Sequence, residues 1–291
     1  MTATSGKWLR WIAVRPSPDH ILLKKGAFSV LVSRDLDGEL RRCLVGDPDL
    51  LFSHPRCEVI KDQKKIKVGR VPLEIGGQEK WIYLKRYNSF SWRYRLISLF
   101  VRSGAMRSWS GAGTLREAGF STGEPIAAVE CRSWGTLTKS FYLSEEIPRG
   151  KTVDAYWREE VLPVRGSKGF DRRRKFLNGL ARLFRSLHQH DIYHNDLKDV
   201  NIVVCPVEGQ RFYLLDLEGV RRYRRLNERR RIKNLVQLNR TMGKFLRRVE
   251  KLYWLREYLK DAFLDERLKR KWISRVLKGS ERADRRSLRK G

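Results

Sequence analysis

The chain has 291 residues, 41% hydrophobic and 33% charged, a balance that supports a packed core and excludes a disordered polyelectrolyte. Its 63 Lys and Arg against 33 Asp and Glu leave a net charge of +30, and positions 220–291 hold 26 basic but only 8 acidic residues. A field of that sign favours nucleic acid, an anionic membrane face or a phosphorylated substrate, and composition does not choose among them. Cys43, Cys57, Cys131 and Cys205 lie far apart, with no C-x-x-C and no clustered His, so free thiols in a reducing compartment are expected rather than a disulfide framework or a zinc site. The first twenty residues carry charges inside any apolar stretch, unlike a signal peptide, and the run Leu96–Val101 is far too short to span a bilayer. A cytosolic protein, one that would meet a membrane from the inside, is the expectation.

In chain order, residues 1–55 read as an N-terminal extension, partly strand. Residues 56–87 read as short strands, with Ile66, Val68 and Val71 separated by a Gly-Gly turn from "WIYLKRY". Residues 90–118 look helical and basic, and "GFSTGEPIAAVECR" and "KSFYLSEEI" look like strands around a hairpin loop. These form a strand-rich lobe over 56–147. In "DRRRKFLNGLARLFRSLHQH", Phe176, Leu180, Leu183 and Leu187 fall at helical spacing, with Leu177 and Phe184 widening the stripe. Two short strands, "NIVVC" and "RFYLLDL", follow. From Arg229 the chain reads as helix, with Leu235, Leu238, Met242, Phe245, Val249 and Leu252 three and four apart. A helical lobe over 148–291, with basic C-terminal helices, completes an α+β plan with a cleft between two lobes.

Between the long amphipathic helix and the two strands stands "IYHNDLKDVNIVV". A surface turn satisfies its own backbone with Gly, Pro, Ser, Asn or Asp; this one sets acids, a base and amides at fixed offsets. His194-Asn195-Asp196-Leu197-Lys198-Asp199-Val200-Asn201 fits the kinase catalytic-loop pattern H-R-D-L-x-x-x-N, with Asn195 in place of Arg. Asp216 ends the apolar run "FYLLD", where a metal-binding Asp is required, and Lys85 stands on a strand like the V-A-I-K lysine. Phosphoryl transfer needs an in-line nucleophile and cancellation of charge on the triphosphate. Asp196 is positioned to orient the acceptor hydroxyl and take its proton. Lys198 would neutralise the γ-phosphate and Lys85 the α- and β-phosphates. Asn201 and Asp216 offer Mg²⁺ hard oxygens, and His194 braces the loop from inside. The fold expected is a bilobal, protein-kinase-like one, with ATP and Mg²⁺ as cofactors.

The sequence also resembles the bacterial lipopolysaccharide kinases, which include the Kdo kinases and the core heptose kinases. The resemblance covers about residues 56–245. It rests on "YLKRY", "AGFSTGEPIAAVE", "SFYLSEEI", "LHQHDIYHNDLKDVNIVV", "FYLLDLEGVR" and "KNLVQLNRTM". It implies transfer of the γ-phosphate of ATP to a sugar hydroxyl, Kdo or heptose, of the lipopolysaccharide inner core. It also implies a hinge at "SFYLSEEI", with Glu145 and Ile147 against the nucleotide. The acceptor carries carboxylates and phosphates and sits in an anionic leaflet, which suits the charge of +30. "FSWRYRLISLFVR", the C-terminal "ERLKRKWISRVLKG", and Trp8 and Trp11 beside Lys7 and Arg10 are the interfacial candidates, each equally readable as a core stripe with a solvated basic face.

Three features depart from the kinase pattern. No G-x-G-x-x-G precedes Lys85, so "KDQKKIKVG" would cover the phosphates through backbone amides and Lys64, Lys65 or Lys67. No acid stands where a helical Glu should pair with Lys85, Glu117 being the nearest, and Leu217-Glu218-Gly219 replaces a strict F-G, with Glu218 a further possible metal ligand. The missing A-P-E and the missing loop Arg disfavour a phospho-switched peptide kinase. The alternative is an atypical kinase or pseudokinase with a basic RNA-binding or scaffold role; nucleic acid is disfavoured as a partner because no RNP-like, KH-type or zinc-finger motif occurs.

Overall fold

The computed structural model describes residues 20–34, 36, 38–89, 91, 97–206 and 210–289. Lys7, Trp8, Arg10, Trp11, Trp92 and Leu96, singled out above, lie outside them. The chain folds into two compact units, Met1–Gly113 with Gly123–Glu146, and Thr114–Thr122 with Ile147–Gly291.

The first unit is a seven-stranded antiparallel sheet in the order β1-β2-β7-β8-β5-β4-β3. Its strands are β1 (His20–Lys25), β2 (Phe28–Ser33), β3 (Glu58–Asp62), β4 (Ile66–Ile75), β5 (Gln78–Asn88), β7 (Pro125–Ser133) and β8 (Thr136–Glu145). Because side chains alternate along a strand, the sheet has two separate apolar faces. Val30, Val32, Ile82, Leu84, Val129, Phe141 and Leu143 form one, closed by Leu40 and Leu44 of helix α1 (Gly38–Gly46) and by Leu51 of the 3₁₀ turn Pro48–Ser53. Leu31, Tyr87, Ala128 and Tyr142 form the other, closed by Ala105, Met106 and Trp109 of helix α2 (Gly104–Glu117). Gly104 lets α2 approach this closely: a Cβ there would lie 2.6 Å from the Tyr87 ring. Tyr87 Oη then meets Ser108 Oγ at 2.9 Å.

Residues 1–55, expected to be partly strand, thus also hold α1, and β1–β2 extend the main sheet through β2 and β7. Of the basic stretch 90–118, α2 takes Gly104–Glu117, while residues 90 and 92–96 lie outside the described residues. The strands around a hairpin are β7 and β8, turning at Trp134 and Gly135, both at positive φ.

The second unit is built on helix α3 (Gly166–Gln189), whose stripe Phe176, Leu177, Leu180, Leu183, Phe184 and Leu187 is buried as its period requires. The chain then runs through β10 (Ile192–His194), β11 (Ile202–Cys205), β12 (Arg211–Leu214) and β13 (Val220–Arg222). β11 pairs antiparallel with both β12 and β9 (Lys151–Thr152), β12 pairs parallel with β6 (Ser121–Thr122), and β10 pairs antiparallel with β13. Helices α4 (Glu228–Arg240), α5 (Arg248–Leu259) and α6 (Glu266–Leu288) follow.

The single helical period read from Arg229 through Leu252 is corrected here. α4 stops at Thr241, a 3₁₀ turn spans Met242–Phe245, and α5 starts at Arg248. Phe245, Val249 and Leu252, in phase with the buried Leu235 and Leu238, are 40%, 69% and 44% exposed. The 3–4 spacing continues across the break by coincidence of phase, not through one buried face. All four cysteines are free, and burial in the sheet core pushes the Cys131 thiol up to about 12.

Candidate active site

The loop at 194–201 is fixed at both ends by burial. Ile192 and Tyr193 enter it buried, Leu197 anchors its middle with no exposed surface, and Ile202–Cys205 leave it buried. The polar side chains between these anchors are therefore turned outward or spent on bracing. Asp196, 40% exposed, receives Lys198 Nζ at 2.8 Å. Asn201 Nδ2 donates both to the Asp196 main-chain oxygen, at 2.8 Å, and to its carboxylate Oδ2, at 3.0 Å. One carboxylate is thus held from two sides, with its other oxygen outside this pair of contacts.

His194 is 1% exposed and uses both ring nitrogens. Nε2 donates to the Leu215 carbonyl at 2.8 Å, and Nδ1 accepts from the Asp196 N–H at 3.2 Å. This assigns the neutral Nε2–H tautomer. Burial drives the His194 pKa below its ordinary value, in agreement with that tautomer. The Leu215 N–H in turn donates to the Asn201 carbonyl at 2.9 Å. The loop therefore grips both main-chain atoms of the residue before Asp216. Asp216 itself adopts φ 56°, ψ 57°, a left-handed conformation that an L side chain other than Asn or Asp seldom takes. Past it, a Cβ on Gly219 would lie 2.6 Å from the Asn195 Cβ, and the Asn195 N–H donates to the Gly219 carbonyl. Only a glycine lets the two segments touch here.

A layer beneath the loop carries its remaining backbone. Asn234 of α4, with no exposed surface, donates to the His194 carbonyl at 2.6 Å and to Gln237 Oε1 at 2.9 Å. Gln237 donates to the Asn195 carbonyl at 2.6 Å and accepts from the Leu197 N–H at 3.2 Å. Thr241 Oγ1 accepts from the Asp199 N–H at 3.5 Å. Since the Asn234 amide nitrogen faces two acceptors, its oxygen accepts from His188 Nε2 at 3.1 Å, and His188 Nδ1 accepts from Tyr258 Oη at 2.8 Å. Burial lowers the His188 pKa to about 4. Asp199 Oδ1 accepts from the Val200 N–H at 2.9 Å, and burial raises the Asp199 pKa. None of these bracing roles for Asn234, Gln237, Thr241 and His188 was read from sequence. The available signal was two amides three residues apart on a helix face in "KNLVQLNRT".

In the first unit, Lys85 pairs across the sheet with Val68 and Tyr142, and Tyr142 with Ala128, so its side chain rises on the face that α2 covers. Its Nζ lies 5.0 Å from the Tyr87 ring centroid. Along α2 the first acid is Glu117, the last residue. Lys64 and Lys65 occupy a tight turn between β3 and β4, closed by mutual Gln63 and Ile66 backbone bonds. Asn88, the last residue of β5, holds it down: its side chain donates to the Lys64 carbonyl at 3.1 Å and its N–H to the Lys65 carbonyl at 2.9 Å. Lys67, the third candidate, lies apart from these two. It pairs with Arg86 on the opposite face from Lys85, bonds Asp62 at 3.2 Å and lies over the Phe52 ring. Glu145 bonds Lys80 at 3.2 Å, and its N–H donates to the Glu124 carbonyl; Ile147 opens the turn closed by the Gly150 N–H. Among the described residues, no group of three or more His, Cys, Asp or Glu forms a metal cluster, and no helix is long and apolar enough to cross a membrane.

The chain is similar to known proteins. The chain is 28% identical over 137 residues to the 3-deoxy-D-manno-octulosonic acid kinase of Haemophilus influenzae (strain PittGG), a match covering 46% of this chain and 52% of that protein; it thus spans about half the length of that curated relative. The solved structure titled "WaaP in complex with acyl carrier protein" superposes with a TM-score of 0.60 at 21% identity, over 85% of this chain and 97% of that one, which establishes the fold. A Stt7 homolog from Micromonas algae, soaked with ATP, matches at a TM-score of 0.40 and 17% identity, over 56% of this chain and 48% of that one. With a strand-rich N-terminal part and a helical C-terminal part, the α+β fold is the one expected. The lipopolysaccharide kinase (Kdo/WaaP) family model matches residues 72–272, which takes in Lys85, the loop at Asp196, Asp216 and the bracing helix α4. On that match, covering well over half its length, the chain belongs to the lipopolysaccharide kinase (Kdo/WaaP) family.

Proposed function

We propose that this protein is an ATP- and Mg²⁺-dependent kinase that phosphorylates a sugar hydroxyl, of Kdo or heptose, in the lipopolysaccharide inner core. The observation that carries the reading is the Asp196 carboxylate held by Lys198 and Asn201 in a loop whose backbone is bonded from beneath. A general base must be oriented before it is useful, and this one is oriented by two independent donors.

In this reading Asp196 accepts the proton of the acceptor hydroxyl as its oxygen attacks the γ-phosphorus; the bond to ADP breaks and a sugar phosphate ester forms. Lys198, already 2.8 Å from Asp196, neutralises the charge on the transferred group. Lys85, Lys64 and Lys65 are assigned to the phosphates, and Glu145 and Ile147 to the nucleotide base. The residues present suit Mg²⁺. The Asn201 nitrogen is committed to Asp196, which leaves Oδ1 as its ligand atom. With the Asp216 carboxylate that makes two hard oxygens, the number Mg²⁺ commonly takes from protein when phosphates and water complete its shell. When bound, Mg²⁺ supplies charge cancellation on the triphosphate.

The acceptor lies in an anionic membrane leaflet, where each Lys or Arg close to the surface contributes about 1 kcal/mol of attraction. The net charge of +30 supports a peripheral position there. ADP release by purified protein in Mg²⁺ buffer, with and without deacylated lipopolysaccharide core, tests the reading. Core-dependent release that Asp196→Ala abolishes is expected. ATP binding without core-dependent release would point to another acceptor, and absence of ATP binding would leave a non-catalytic scaffold.

A further inference from the structure

Asn195 stands where the catalytic-loop pattern carries a cation, and the structure restores a cation beside it from elsewhere. Lys233 of α4 donates from Nζ to Asn195 Oδ1 at 3.0 Å, and the same oxygen accepts from Tyr193 Oη at 3.3 Å. Lys233 Nζ also lies 5.6 Å from the Tyr193 ring centroid. Tyr193 meets Tyr223 edge-on, with centroids 6.4 Å apart, and the Arg230 guanidinium covers the Tyr223 ring at 4.1 Å. Arg221 is directly opposite Tyr193 across the β10–β13 pair. Lys233, Tyr193, Tyr223 and Arg230 thus form one ladder, a pair of rings between two cations, starting at the residue next to Asp196.

None of these three cations is neutralised by a carboxylate among the described residues. Glu228, the acid nearest in sequence on α4, is taken by Lys271 at 2.9 Å and by Arg275. Asp191 is spent on the Leu226 N–H at 2.7 Å. Like charges gathered without an acid are repulsive, and fixing Lys233 and Arg230 on aromatic rings removes their freedom to spread apart. Such a cluster is stabilised when an anion enters it. An ammonium has three donors, and Lys233 spends one on Asn195, so the others remain for a ligand.

We infer that Lys233, Arg230 and Arg221 form a subsite for an anionic substituent, carboxylate or phosphate, of the acceptor, beside the hydroxyl that Asp196 activates. The inference rests on the proposed role of Asp196 and narrows it: the preferred acceptor carries a charged group near the reacting hydroxyl. The ladder makes Lys233 and Arg230 binding groups, separate from the bracing layer of Asn234 and Gln237 on the same helix.

The test compares KM for deacylated core, carboxyl-reduced core and dephosphorylated core, in wild type, Lys233→Gln, Lys233→Arg and Arg230→Gln. Loss of one charge-assisted contact is expected to raise KM for the charged core roughly ten- to a hundredfold. The gap between the charged core and the core lacking the recognised group should shrink correspondingly, with Lys233→Arg restoring most of it. Sensitivity to carboxyl reduction assigns a carboxylate, and sensitivity to dephosphorylation assigns a phosphate. An equal rise in KM for every core, charged or neutral, would reduce Lys233 to a support for Asn195 and overturn the inference. Arg230→Gln, which touches no loop residue, decides the matter if Lys233→Gln does not fold. Should wild type phosphorylate no core, calorimetric binding of deacylated core still separates the two claims. Binding weakened in Lys233→Gln upholds the subsite while the kinase reading fails; binding equal in both overturns the subsite.

Discussion

Asn201 Nδ2 lies 3.0 Å from Asp196 Oδ2 and 2.8 Å from the Asp196 main-chain oxygen, so one amide fixes both the carboxylate and the backbone that carries it. Lys198 approaches the same carboxylate oxygen. The orientation of the Asp196 carboxylate is thus built into six consecutive residues, and removing either donor frees a rotamer without exposing the core.

Asn201→Ala is expected to lower kcat by about 10²-fold or more through loss of orientation at Asp196 and of the oxygen proposed for Mg²⁺. Its Tm should shift little, because the Asn201 side chain bonds the loop and packs no core. Steady-state kinetics beside a thermal melt check this; a fall in Tm matching the fall in rate would mean that Asn201 is structural.

Asp216 separates shape from chemistry. Asp216→Asn keeps a residue that tolerates φ 56°, while removing the charge. Stability close to wild type with phosphoryl transfer lost is the expected result. Asp216→Ala, forced into the same left-handed conformation, should lose about 1 kcal/mol in addition. Urea denaturation of the two variants measures that difference.

The bracing layer is expected to respond differently from the loop. Asn234→Leu would leave the His194 carbonyl and the His188 Nε2–H buried without partners, at a cost of about 2–4 kcal/mol. Both Tm and kcat should fall. Gln237→Ala, which removes contacts to Asn195 and Leu197 from a partly buried side chain, should cost less in stability and still reduce kcat. A Gln237→Ala enzyme as fast as wild type would show that the loop holds its shape unaided.

His188 gives a pH signature. Its folded pKa of about 4 lies below its ordinary 6.5 because burial disfavours the charged ring. Between those values the unfolded chain binds the extra proton and the folded chain does not. Its contribution is therefore complete above pH 6.5 and is lost progressively as pH falls towards 4, by up to about 3 kcal/mol. His194, also lowered by burial, acts in the same direction. His188→Gln should be less stable than wild type at neutral pH and show a shallower decline across this window in urea titrations. Parallel curves for the two proteins would contradict the assignment.

The loop could be read from sequence because its partners are neighbours: His194, Asp196, Lys198 and Asn201 bond within eight positions. The place of Lys85 on a strand was readable from the strand-like run around it. The bracing layer was not, since Asn234 and Gln237 reach His194 and Asn195 across about forty positions, and only the packing of α4 under the loop reveals the pairing. Helix α1 carries a short apolar stripe that strand-like flanks obscured. The break after Thr241 was hidden because the 3–4 spacing of apolar residues in the sequence runs on across it. Lys233 was one lysine among 63 basic residues until its distance to Asn195 distinguished it.

The most direct test of the central claim follows the phosphoryl group itself. Protein, Mg²⁺, γ-labelled ATP and deacylated lipopolysaccharide core are incubated, and the oligosaccharide is separated and analysed for label, with Asp196→Asn alongside. Label on a single core sugar as a phosphate ester is expected with wild type, and none with Asp196→Asn. Label on the core undiminished in Asp196→Asn, or label released only as inorganic phosphate by wild type, would contradict the central claim.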